Sequence, residues 1–145
     1  KRGRKEAPMR YLILLYDPPR SAEPDPADVQ AEMARWAAFT RETIRRGVYQ
    51  GGNALQPATT ATTVRLREGR TLTTDGPFAE TKEELGGYYL LDCRDLDEAI
   101  ELAAMTPTAE RGSVEIRPIW ELPAADHHPP AGATEASGRG AATGG

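Results

Sequence analysis

Apolar residues along this chain fall into two solid runs and two periodic ones, and each kind predicts a different element. Tyr11-Leu12-Ile13-Leu14-Leu15-Tyr16 lacks helical spacing and stops at Asp17-Pro18-Pro19, which predicts a short strand with apolar groups on both faces. Gly87 to Cys93, through Tyr88-Tyr89-Leu90-Leu91, predicts a second strand of the same kind. Val29, Met33, Trp36, Thr40 and Ile44 instead recur at helical intervals, which places them on one helix face and predicts that this face meets the core. That helix is expected to begin with Asp25 as N-cap and Pro26 in its first position, and to stop at Gly47 behind Arg45 and Arg46. A second helix is expected after the cap Asp95, with Leu96, Ala99, Ile100, Leu102 and Ala103 turned inward and Pro107 as its limit.

Three further segments complete the pattern. Val48 to Leu55 reads as a strand carrying Gly51-Gly52-Asn53, where the missing side chains weaken the strand or let backbone or ligand come close. Two threonine-rich β-prone runs, 61–67 and 70–74, flank Glu68-Gly69 and predict a hairpin. Ser113 to Leu122 predicts a last strand with Val114, Ile116 and Trp120 on one face and Glu115, Arg117 and Ile119 on the other. The order strand, helix, strand, hairpin, strand, helix, strand predicts an α+β fold, the ferredoxin-like split βαβ arrangement with an inserted β-hairpin. Two helices can cover only one face of such a sheet, yet its central strands are apolar on both. A homodimer packed sheet against sheet is therefore expected.

At 145 residues the chain is expected to hold one domain. Residues 1–8, with a net charge of +3, and residues 123–145, rich in Pro, Ala and Gly and holding His127 and His128, are expected to be disordered. The domain expected between them, residues 9–122, carries 13 basic and 19 acidic side chains. That balance argues against direct nucleic-acid binding, which depends on clustered cations. Cys93 is the only cysteine, so no internal disulfide can form, and its place at the end of an apolar strand predicts a small buried hydrophobe. No apolar run reaches membrane-spanning length, and a soluble cytoplasmic protein without a membrane partner is expected. There is no phosphate-cradling glycine loop, no His and Cys spacing suited to a metal and no serine nucleophile elbow, so neither cofactor nor metal is expected.

Charge crowds at one place, the sharp turn and loop from Asp75 to Glu84. Asp75, fixed against a Gly-Pro turn, either aims a carboxylate into a cleft or caps the turn itself. Glu80 and Lys82 read as an acid–base pair or as a surface salt bridge. Glu115 and Arg117 share a strand face. Arg117 could there bind a substrate carboxylate with Glu115 as base, or the two could form a structural ion pair. Phe78 and Tyr88 are candidates for lining an apolar pocket. The provisional set is thus Asp75, Glu115 and Arg117 for catalysis, and Phe78, Glu80, Lys82 and Tyr88 for ligand binding.

Asp75-Gly76-Pro77-Phe78-Ala79-Glu80-Thr81-Lys82-Glu83, followed by Leu85-Gly86-Gly87-Tyr88, resembles the YCII-related proteins and, among them, the branch named for its Asp-Gly-Pro-Phe signature. Ala61 to Arg65, Leu96 to Ala99 and Val114 to Pro118 extend the resemblance across residues 9–122. It implies a dimer of the dimeric α/β-barrel type. It also implies two kinds of role: a small-ligand-binding or regulatory accessory protein, with a small molecule or a transcription regulator as partner and a link to transcription initiation, or a cofactor-independent lyase or isomerase, like a dehydrochlorinase or muconolactone isomerase, acting on a small cyclic or carboxylated compound. Many YCII-like proteins carry a His and Asp pair in the pocket, whereas residues 9–122 contain no histidine, which excludes a histidine base within them.

Overall fold

A computed structural model describes residues 8–20 and 22–123. Apart from Pro8 and Pro123, the two segments expected to be disordered, with His127 and His128, lie outside the described residues. The fold is α+β, with antiparallel sheets. Strands β1 (Met9–Asp17), β2 (Tyr49–Ala54), β5 (Glu84–Cys93) and β6 (Ser113–Pro118) form a four-stranded sheet in the order β2-β5-β1-β6. Among the described residues, strands β3 (Thr62–Arg67) and β4 (Arg70–Asp75) pair only with each other, as a separate ribbon inserted between β2 and β5. Glu68 and Gly69, at φ 51° and 76°, make the tight turn of this hairpin.

Helices α1 (Pro26–Arg45) and α2 (Leu96–Ala104) pack on one face of the large sheet. Tyr11, Ile13 and Leu15 of β1 and Leu91 and Cys93 of β5 meet Phe39 of α1 and Ala99 and Leu102 of α2 there. The caps are those read in the sequence: the Asp25 carboxylate accepts from Ala27 N at 2.9 Å, and that of Asp95 from Glu98 N at 2.9 Å. Arg46, which caps the end of α1, binds Glu42, Glu101 and the buried Glu98, and so ties α1 to α2. Glu42, held by Arg45 and Arg46, ionises at about 2. Burial pushes the Cys93 thiol up to about 12, which keeps it protonated and inert at neutral pH.

Which faces of the helices are buried differs from the sequence reading. The buried residues of α1 are Phe39 and Thr43, with Trp36 and Thr40 half-buried, whereas Met33 is 65% exposed and Ile44 56%. The C-terminal half of the helix carries the sheet contact, and its N-terminal half stands off the sheet. In α2 the inward set is Glu98, Ala99, Leu102 and Ala103, with Leu96 and Ile100 turned outward. The second helix ends at Ala104, ahead of Pro107, and beyond the proline the chain makes one more helical turn, α3 (Thr108–Arg111), which the sequence reading did not include. Proline is well tolerated just ahead of a helix, since no donor is lost there. The last strand ends at Pro118 instead of Leu122, so Trp120 lies past it and is 84% exposed.

Candidate functional site

Because the first half of α1 stands away from the sheet, a cleft of about 590 Å³ opens between that helix and the edge formed by β2 and β5. This volume suits a small organic molecule. Its inner wall is aromatic. Trp36 of α1 stacks on Tyr89 of β5 with ring centroids 6.1 Å apart, and Tyr49 meets the Tyr89 ring edge-on at 6.2 Å. The Tyr89 hydroxyl lies 2.6 Å from Thr40 Oγ1, and burial raises its pKa further above neutrality. Tyr89 is therefore a neutral polar group at the cleft, not a phenolate.

Glycine lets the edge strand lie this close. A Cβ on Gly52 would stand 2.7 Å from the Tyr88 carbonyl oxygen and 3.0 Å from the Tyr89 ring. At the other end of the cleft, β1 and β5 slip register between Leu15 and Tyr16, which leaves Gly86 unpaired in this ladder beside the Asp17 carboxylate.

The mouth carries four charged side chains from four segments: Asp17 ending β1, Arg20 in the loop beyond it, Glu32 on α1 and Arg111 ending α3. Arg111 is the hub. Its Nε donates to Asp17 Oδ1 at 2.8 Å, and its two terminal nitrogens donate to the two oxygens of Glu32 at 3.1 and 2.7 Å. The Trp36 indole donates to Glu32 Oε2 at 3.2 Å, and Thr108 to Asp17 Oδ2 at 3.3 Å. The Arg111 hydrogen bonds, helped by Trp36, hold the Glu32 carboxyl below its usual range against the opposing effect of burial. The same partnership raises Arg111.

The residues singled out in the sequence lie elsewhere, with one exception. Tyr88 lines the cleft, and its hydroxyl accepts from Asn53 Nδ2 at 2.8 Å. Asp75 ends the exposed hairpin, and its carboxylate makes no hydrogen bond with another described residue; Gly76 holds the turn by donating to the Ala61 carbonyl at 2.6 Å. Phe78 is 78% exposed, and Glu80 and Lys82 are exposed without pairing to each other. Glu115 and Arg117 approach to 3.5 Å on the sheet face opposite the helices, both exposed. The structure therefore does not bring Asp75, Glu115 and Arg117 together with the cleft.

Asp17, Glu32, Trp36 and Arg111 each had a plainer local explanation: a strand stop, a solvated helix face, a core aromatic and a turn. The one signal that pointed toward the cluster is Asp17 against Pro18-Pro19, which fixes a carboxylate at the rim of a central strand.

Residues 9–123 match the profile of the YCII-related domain, which spans the whole described fold from β1 to beyond β6. The chain belongs to the YCII-related family. A protein of Rhizobium meliloti (strain 1021) is 38% identical over 114 residues, covering 77% of this chain and 92% of the relative, and is itself uncharacterised. In this YCII-related domain no group of three or more His, Cys, Asp or Glu side chains among the described residues is arranged to hold a metal ion. No helix among them is long and apolar enough to cross a membrane.

Proposed function

We propose that this protein binds a small organic molecule in the cleft between α1 and the β2–β5 edge. The observation that carries this reading is the pairing, within one cavity of about 590 Å³, of an aromatic wall with a cluster of charged groups at the mouth. That combination buries a ligand's hydrocarbon body and fixes its polar end. The alternative, a lyase or isomerase working by acid–base chemistry, needs a carboxylate able to take up a proton near neutrality. Glu32 is held ionised by Arg111 and Trp36, and Asp17 already accepts from Arg111 and Thr108. Binding thus accounts for the cleft more fully than catalysis does. A protein of this kind fits an accessory or regulatory role, and residues 75–83 support placing it in the Asp-Gly-Pro-Phe branch.

The test is a thermal-shift screen of small metabolites against the wild type and Ala54→Trp. Ala54 is an exposed residue at the end of β2 that lines the cleft, so the indole fills the mouth without entering the core. A compound at 100 times its Kd adds about 2.7 kcal/mol to wild-type stability and is expected to add far less to the variant. Equal stabilisation of both proteins would place the ligand elsewhere.

The strand order β2-β5-β1-β6, with both long helices on one face, supports a ferredoxin-like reading, and the opposite face supports a homodimer of the dimeric α/β-barrel type. On that face Leu12, Leu14 and Leu90 are only half-buried, although no described helix packs over them. Val64, Leu66 and Leu72 of the β3–β4 ribbon are likewise exposed, and a two-stranded ribbon has little stability alone. A second copy covers such surfaces most simply. Sedimentation velocity is expected to find a dimer for the wild type and a monomer for Leu14→Asp; a monomeric wild type at micromolar concentration would rule the dimer out.

A further inference from the structure

Resting on the binding reading above, we propose that the cleft selects a flat, apolar-bodied organic anion, a ring compound bearing a carboxylate, and that Arg20 is the group that reads its charge. A census of donors and acceptors at the mouth leads there. Every carboxylate oxygen there is already engaged. Both oxygens of Glu32 accept from Arg111, and each takes a further donor, Arg20 on one and the Trp36 indole on the other. Asp17 gives one oxygen to Arg111 and the other to Thr108. A cationic ligand would have to displace Arg111 from contacts at 2.7 to 3.1 Å.

The donors of Arg111 toward this cluster are equally committed, but those of Arg20 are not. A guanidinium offers five N–H donors in a fork that matches a carboxylate. Among the described residues Arg20 uses one of them, on Glu32 Oε1 at 3.5 Å, and its side chain is 56% exposed. Formal charges within the cluster cancel, two arginines against two carboxylates, so an arriving anion meets no net repulsion. Glu32 anchors Arg20 at the rim without consuming it. Behind this rim Trp36, Tyr49, Tyr89, Met33 and Leu15 offer ring faces and aliphatic surface, the complement of a planar hydrocarbon.

Three probes of one shape and different charge provide the test: 2-naphthylacetate, 2-naphthylacetamide and 2-(2-naphthyl)ethylamine, titrated calorimetrically into the wild type and Arg20→Gln. The wild type is expected to bind the acid about tenfold more tightly than the amide, the size of one charge-assisted hydrogen-bonded contact, and the amine more weakly still. In Arg20→Gln the acid-to-amide ratio is expected to fall close to one. Equal binding of acid and amide by the wild type, or preference for the amine, overturns the charge assignment and leaves the cleft as a neutral binding site. An acid preference that persists in Arg20→Gln overturns the role of Arg20. Failure of all three probes to bind overturns this inference, while the binding reading is decided by the metabolite screen against Ala54→Trp.

Discussion

Gly112→Ala is expected to lower stability by about 3 kcal/mol, the upper range for forcing extra volume into a packed site, and to disorganise the mouth of the cleft with it. A Cβ at this position would stand 2.0 Å from the carbonyl oxygen of Tyr16 and 3.1 Å from the Cα of Asp17. Both are backbone atoms, so no side-chain rotation relieves the overlap. Ser113, the next residue, pairs with Tyr16 in the β1–β6 ladder, and the preceding residue is Arg111. Relief must therefore open the ladder at its first pair or pull Arg111 off Asp17. Urea denaturation measures the loss, with Gly86→Ala as comparison. Gly86 also lies beside Asp17, but its Cβ would come no closer than 3.7 Å to a neighbour, and a change of less than about 1 kcal/mol is expected. Similar losses in the two variants would contradict the steric argument.

Arg111→Met is expected to cost about 2 kcal/mol at neutral pH, as the loss of hydrogen bonds to charged, partly buried partners implies. It leaves Asp17 and Glu32 without the cation they share, and Arg20 holds Glu32 only at 3.5 Å. The penalty should depend on pH in a definite direction. Glu32 is ionised more readily in the folded protein than its usual value, so its contact with Arg111 stabilises the fold fully above about pH 4.3 and less as pH falls through the lower folded-state value. The gap between wild type and variant should therefore be widest near pH 7 and narrow toward pH 3. A gap that stays constant over that range would show that Arg111 acts through packing of its stem and not through charge.

Much of the fold was legible because its boundaries are set by local chemistry. Asp25 with Pro26, Gly47, Asp95 and the Glu68-Gly69 turn each fix a terminus through one or two backbone groups, and each lies where the pattern places it. Facing was harder to read. Val29, Met33 and Ile44 are the larger aliphatic groups on α1, yet the sheet contact is built on Phe39 and Thr43, one position round the helix. Trp36 and Thr40 are common to both stripes, so periodicity alone cannot choose between them. The choice is made by the angle at which the helix crosses the sheet, a tertiary property.

The site was less legible for a related reason. Arg111 reaches Asp17 across 94 positions and Glu32 across 79, and nothing near any of the three predicts such a meeting. The Asp75–Glu83 loop, in contrast, stood out by its crowded charge, and it lies at the surface beside the inserted ribbon. Local conspicuousness and convergence in space are separate properties, and only the folded chain reveals the second.

Assigned ¹H–¹⁵N NMR spectra recorded while a panel of ring-containing acids is added would decide where this protein meets small molecules. Binding in the cleft predicts that the Trp36 indole N–H, bonded to Glu32, shifts together with the backbone amides of Gly52, Asn53 and Gly86, while those of Asp75 to Glu83 other than Pro77 stay in place. Shifts confined to residues 75–83, with the Trp36 indole unmoved, would contradict it.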